Sequence, residues 1–438
     1  MLSSLVQIAT EQIGNNAPWQ DIEATLHCIR YSGEAVPLGE DKSLPIIFSN
    51  DVVNRLLSRG AQGLGEERLR LTFVCTIRAY EEWFKFHPDY LLPVLSYLVP
   101  SLTSSHLVSR SAADSLKALC DICRQKLVPH IGAFSELHSK IGDLGPEEQT
   151  KVIEGITSVI QALQPTEAVG PVQGILGPIV DRLGSAVQIV QANPAEAANA
   201  LVPAMNALTA CFKGLSPSDD DMFDLTEADE TARNEGIAIA RSQPVMIDLR
   251  QRTESAIQGV VQVWNGDSEV ADAISSLLKQ ATLSTTDTLV SLSPLPLLSL
   301  VCAACERQPS ALWMSLASTL TLRMGSNNSP LAKRKDKTPE EQAAQDAEDE
   351  RRYSVVADAA QRLAVCASSL LGREGGLRDN PDVVEAWFKF CSAVASRFPG
   401  VLLRLDEQVI DAFMSLGILG LGAQERFSLK TAAEFFVS

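Results

Sequence analysis

Two C-x-x-C pairs, Cys120/Cys123 and Cys302/Cys305, have the most obvious capacity for chemistry in this sequence. Paired thiolates at that spacing can bind zinc or run thiol–disulfide exchange. His130 and His138 follow the first pair and give a zinc-like order of donors. However, Pro129 interrupts the run to the histidines, and both pairs sit inside apolar stripes of helical spacing. There, positions i and i+3 face the same core and a cysteine behaves as a small hydrophobe, so packing is the preferred reading of both pairs. No nucleophile elbow, phosphate loop, dinucleotide Gly motif or metalloprotease helix occurs, and the five histidines are scattered. The residues point to a binding protein rather than an enzyme, with no cofactor and no metal.

The candidate binding chemistry lies in residues 215–230. Asp219, Asp220, Asp221, Asp224, Glu227, Asp229 and Glu230 occur there without a basic residue and are interleaved with Met222, Phe223 and Leu225. Acidic loops often only solvate a turn, but an aromatic residue is an unusual addition to one. Asp219, Asp220, Asp221, Met222, Phe223 and Asp224 are therefore candidate partner-binding residues: carboxylates for a basic partner, with Met222 and Phe223 as anchors. The run Lys333-Arg334-Lys335-Asp336-Lys337 can be read as a nuclear localisation signal, although a solvated loop is the preferred reading.

The whole chain sets 37 basic against 54 acidic side chains, a net charge of -17. A phosphate-backbone binder needs a basic footprint, so direct nucleic-acid binding is not expected and basic protein partners fit better. Nine cysteines in 438 residues form no short-spaced framework, which implies a reducing compartment. The start, MLSSLVQIATEQIG, lacks the basic region and long apolar core of a signal peptide, and no 18-residue uninterrupted apolar stretch occurs. A soluble, intracellular protein without membrane contact is expected.

The elements that position these residues are helices. Leu69, Phe73, Ile77, Tyr80 and Phe84 step by three or four and mark one helical face. The pattern returns in Ala112, Leu116, Cys120, Cys123 and Leu127, in Val152, Ile156, Val159 and Leu163, and in Val383, Trp387, Cys391 and Val394. Pro45, Pro88, Pro129 and Pro165 punctuate the gaps at separations of 43, 41 and 36 residues. Proline is accepted at a helix start, so each opens the second helix of a pair. The spacing lies near the HEAT/armadillo period of roughly 40–47 residues. An all-α, HEAT/ARM-like superhelix follows, with pairs near 18–60, 65–104, 106–143, 146–191 and 193–264 and less regular pairs over 268–324 and 338–438. In terms of domains, 1–214, 231–324 and 338–438 are repeats, 215–230 is an acidic loop and 325–337 is a flexible polar and basic loop. Thr338-Pro339-Glu340-Glu341 is a capping box that predicts a long helix running towards Leu371. Tetrapeptide Trp-Phe-Lys-Phe occurs at 83–86 and 387–390 with different downstream prolines, which we read as coincidence. Neither end carries the atypical capping repeat of a solenoid, so a piece of a longer protein is expected.

Two runs, Tyr80-Glu-Glu-Trp-Phe-Lys-Phe-His-Pro-Asp-Tyr-Leu-Leu-Pro-Val-Leu95 and Ala118-Leu-Cys-Asp-Ile-Cys-Arg124, resemble middle repeats of the importin-13/transportin-3 type of importin-beta family karyopherins. Leu377-Arg-Asp-Asn-Pro-Asp-Val-Val384 and Ser428-Leu-Lys-Thr-Ala-Ala-Glu-Phe-Phe436 resemble later repeats of the importin-13 type. The likeness is weak between about 190 and 290. All these are packing and turn residues. Transportin-3-type relatives use an Arg-rich helix for phosphorylated Arg-Ser cargo, whereas Arg250/Arg252 and Arg351/Arg352 stand here as isolated pairs, which favours the importin-13 type. The resemblance implies a nuclear transport receptor that shuttles between cytoplasm and nucleus, binds protein cargo and contacts Phe-Gly nucleoporins, whose Phe side chains would enter grooves between neighbouring outer helices. Ran-GTP is a partner in the full-length family, but its main contact lies in N-terminal repeats that this chain does not match. The alternative is a HEAT-repeat adaptor or phosphatase-type regulatory scaffold with no transport role.

Overall fold

In a computed structural model, residues 1–60, 63–190, 194–218, 227–263, 267–283, 288–325 and 339–437 are described. They are helical, with no strand among them. Contacts divide the chain into two units: 1–181 with 206–249 and 286–290, and 182–205 with 250–285 and 291–438.

The first unit is two layers of helices. Trp19–Tyr31, Leu64–Ala79, His106–Ile122 and Pro146–Gln161 pack in series as one layer. Their starts, at 19, 64, 106 and 146, are 45, 42 and 40 residues apart, the helical-pair period. Asn50–Ser58, Leu91–Ser101 and Ile131–Ser139 are the partner helices. The predicted stripes supply the core: Leu69, Phe73, Ile77, Tyr80, Phe84, Ala112, Leu116, Cys120, Cys123, Leu127, Val152, Ile156 and Val159 are all buried. Phe48 sits against the rings of Phe73, Tyr80, Trp83 and Phe84, with centroids 4.9–6.3 Å away.

Polar groups lock adjacent pairs in register. Tyr80 Oη donates to Ile29 O at 2.7 Å, Trp83 Nε1 to Glu40 O at 2.7 Å and Ser115 Oγ to Val74 O at 3.2 Å. Lys117–Glu154 and Lys151–Asp114, both 2.8 Å, pair the His106–Ile122 and Pro146–Gln161 helices with opposite polarity. Gly155 lets these two helices approach. A Cβ there would lie 3.2 Å from Cys120 Cβ and from Lys117 Cα.

Each punctuating proline opens a short helical turn or helix at the second member of a pair. Pro45 lies in Leu44–Ile47, Pro88 starts Pro88–Tyr90, Pro129 lies in Val128–His130 and Pro165 starts Pro165–Ile189. The rule has exceptions. Pro171 and Pro178 lie inside Pro165–Ile189, and Pro203 inside Pro194–Gly214. The first two free the carbonyls of Glu167 and Gly174, both at exposed positions where water can satisfy them.

In the second unit, Ala311–Gly325, Pro381–Arg397 and Arg426–Val437 pack in series, and Pro294–Arg307, Pro339–Leu371 and Glu407–Gly420 form the companion layer. Val383, Trp387, Cys391 and Val394 are buried here, as their spacing predicts. The predicted long helix is Pro339–Leu371. The stretch 193–264, read as one pair, contains Pro194–Gly214, Glu227–Ser242 and Pro244–Val263, and 268–324, read as less regular, contains Ser268–Ala281, Pro294–Arg307 and Ala311–Gly325. Both stretches exceed the length of one helical pair, about 40–47 residues. By length and composition, Gln342–Leu371 could cross a membrane, with mean hydropathy 1.2 over its most apolar window, 44% of which is buried. Arg362 on it forms a bidentate 2.7 Å pair with Glu306, and Val356, Ala360, Leu363 and Ala367 are buried in the unit, as in a core helix.

Candidate functional site

The predicted partner-binding residues Asp219, Asp220, Asp221, Met222, Phe223 and Asp224 lie outside the described residues, as does the 326–337 part of the polar, basic loop. The approach to the acidic segment is firmly held. Arg124, which is buried, donates from Nη1 to Gln161 Oε1 at 2.9 Å, Ser216 O at 2.7 Å and Gly214 O at 3.4 Å, and also pairs with Asp121.

Cys120, Cys302 and Cys305 sit within packed helices, and Cys123 caps the end of His106–Ile122; all four are buried. Burial pushes the Cys120 thiol up, Cys123 up to about 12 and Cys302 up to about 12. Cys305 is held protonated first by its hydrogen bond to Cys366 and then by burial. A thiol kept in the S–H form is a poor nucleophile and a poor metal ligand. Among the described residues, no three of His, Cys, Asp and Glu are grouped so as to hold a metal ion. His130 faces a different feature, an apolar groove.

That groove lies between Leu91–Ser101 and Ile131–Ser139, the second helices of successive pairs, and its volume is about 390 Å³. The local sequence explains it. In LLPVLSYLVPS, Leu91, Val94, Tyr97 and Leu98 turn inward and are buried, which leaves Leu92, Ser96 and Val99 on the opposite side of the helix. Leu92 is 50% and Val99 38% exposed. Leu95, Leu116 and Phe134 form the floor, Ala133 and Leu137 the far wall. The rim is polar: Lys140 pairs with Glu136 at 2.8 Å and holds its carboxyl below the usual range. Such an apolar slot, with a few polar groups at its edge, takes an aromatic or branched side chain from an extended ligand. Sequence reasoning missed these residues individually, although leucines and valines left exposed on a helix whose inner face is already filled were the available signal.

A second gathering of functional side chains also escaped the sequence. Arg250, Arg351 and Arg352, read as isolated pairs, converge with Arg323 on one cavity of about 530 Å³ in the second unit.

The geometry defines a class: a scaffold of stacked helical pairs with grooves on its surface, and without any recognisable catalytic grouping among the described residues. Residues 65–137, which form most of the first groove, match the Transportin-3/Importin-13 third TPR domain. Importin-13 of Gallus gallus is 21% identical over 445 residues, covering 100% of this chain and 42% of its own length. The mRNA transport regulator MTR10 of Saccharomyces cerevisiae is 24% identical over 213 residues, covering 47% of this chain and 21% of its own. A solved structure, importin-13 in its cytosolic state, superposes with a TM-score of 0.61 at 19% identity, over 100% of this chain and 50% of that one, and shares the helical-solenoid fold. The chain is thus similar to importin-13 along its whole length and to the transportin-3/importin-13 domain over 65–137. It spans less than half the length of the importin-13 and MTR10 chains.

Proposed function

We propose that this chain is a cargo- and nucleoporin-binding part of a nuclear transport receptor, a binding protein and not an enzyme, that shuttles between cytoplasm and nucleus. The observation that carries the reading is the apolar groove of Leu92, Leu95, Val99 and Phe134 within the segment matched to the transportin-3/importin-13 domain. A Phe side chain of a Phe-Gly repeat fits its size and character, and many such weak contacts would allow rapid passage. The net charge of -17 supports basic protein cargo, captured faster at low salt. Ran in its GTP form is the regulatory partner this reading implies. The acidic residues 219–224 remain the proposed cargo contacts.

The test is fluorescence anisotropy with a labelled Phe-Gly repeat peptide and its Ser-Gly counterpart. Selective binding of the Phe-Gly peptide, lost in Leu92→Glu/Val99→Glu, is expected. Both positions are partly exposed, so the variant should keep its fold. No discrimination between the peptides would instead favour a helical-repeat adaptor without a transport role.

A further inference from the structure

The second unit carries a site of opposite chemistry to the rest of this acidic chain. Arg250 on Pro244–Val263, Arg323 on Ala311–Gly325, and Arg351 and Arg352 on Pro339–Leu371 line the 530 Å³ cavity. Glu254 and Glu348 line it too, so four guanidinium groups face two carboxylates, a lining charge of +2. Arg352 is committed to Glu348 and Asp349 at 3.4 and 3.5 Å, and Arg323 donates to the carbonyls of Thr282 and Leu283. Arg250 and Arg351 are exposed, and among the described residues neither forms an ion pair. Two fixed arginines thus back two unengaged ones.

The backbone adds the same sign. Ser293, Pro294 and Leu295, at the start of the Pro294–Arg307 helix, also line the cavity, so the positive end of that helix dipole faces it. Beyond Glu254 and Pro296 the depression continues as a second hollow of about 870 Å³ along the same two helices, past Gln258, Leu300 and Ala303. An extended peptide could therefore place acidic side chains among the arginines and run its backbone past the Gln258 amide.

We infer that this groove binds an extended peptide segment carrying paired carboxylates, with Arg250 and Arg351 as the recognising groups. Arginine offers a planar fork that matches a carboxylate with two parallel hydrogen bonds. A lining charge of +2 balances two singly charged carboxylates, whereas two dianionic phosphoryl groups would exceed it. This site stands apart from the nuclear-transport reading, since it needs neither nucleoporin nor basic cargo.

The test is anisotropy with a labelled Ser/Gly peptide bearing two adjacent glutamates, its glutamine counterpart and a phosphoserine counterpart, against the full chain and Arg250→Glu/Arg351→Glu. Thermal melting checks that the variant folds. Should it melt early, Arg250→Gln/Arg351→Gln takes its place. The expected result is binding of the glutamate peptide that weakens with salt, at least tenfold tighter than the glutamine peptide, and at least tenfold weaker in the variant. Equal binding of both peptides, unchanged binding by a folded variant, or binding of the phosphoserine peptide alone would overturn the inference.

Discussion

Replacing Arg124 with Met keeps the hydrocarbon stem of the side chain but removes every hydrogen bond its guanidinium makes. Gln161, itself buried, loses the donor to its Oε1, and the half-buried carbonyl of Ser216 loses a 2.7 Å partner. One buried acceptor left unpaired costs roughly 1–3 kcal/mol, and a half-buried carbonyl that water can reach adds a share at the low end, so the change should cost about 2–3 kcal/mol. The Asp121 pair adds little, because that carboxylate is half exposed. At about 1.4 kcal/mol per factor of ten, local opening should become about 30- to 140-fold more frequent. Amide hydrogen exchange followed by mass spectrometry reads this directly. Peptides covering 155–165 and 206–216 should lose protection by that factor, while 268–281 in the second unit should be unchanged. Exchange within twofold of wild type in the first two segments would refute the claim that Arg124 ties the base of the acidic segment to the stack.

Other consequences follow from single positions. Gly155→Ala places a methyl against Cys120 and Lys117 and should destabilise by about 1–3 kcal/mol through overpacking, whereas Gly184→Ala, with open space around it inside a helix, should stabilise by about 0.5–1 kcal/mol; urea denaturation should show the opposite signs. Burial, and secondarily the Glu40 carboxylate, push the Tyr80 phenol up to about 12. Because the folded value lies above the ordinary value of about 10, this stabilisation is fully present below pH ~10 and is lost as pH rises towards ~12. Denaturation midpoints should fall across that window more steeply in wild type than in Tyr80→Phe. Among the thiols, exposed Cys28 should react with a thiol reagent in the native state, while Cys120, Cys302 and Cys391 should react only on unfolding. Metal analysis should find no stoichiometric zinc, and a chelator should leave the melting temperature unchanged.

The helical stack was legible in the sequence because burial writes a period of three to four onto it: the stripe from Leu69 to Phe84 is buried throughout. Proline spacing was informative at Pro45, Pro88, Pro129 and Pro165, which start or lie in short helical turns or a helix, whereas Pro171 and Pro178 show that proline also sits inside a continuing helix. The repeated Trp-Phe-Lys-Phe shows the limit of local words. Trp83, Phe84, Trp387 and Phe388 are all buried, but Phe86 is 58% exposed while Phe390 is fully buried. His87-Pro88 ends the first helix at Phe86, whereas the second continues to Arg397. The arginine groove was invisible for a different reason. Arg250, Arg323 and Arg351 come from three helices far apart in sequence, and exposed cations carry no periodic signal of which others they will meet.

Hydrogen exchange with and without a Phe-Gly repeat peptide decides whether the apolar groove takes Phe side chains. Added protection is expected in 91–101 and 131–140, the two walls of the apolar groove, and should be absent with the Ser-Gly peptide and absent in Leu92→Glu/Val99→Glu. Protection that appears elsewhere but not in these two segments, or equally with the Ser-Gly peptide, would contradict it.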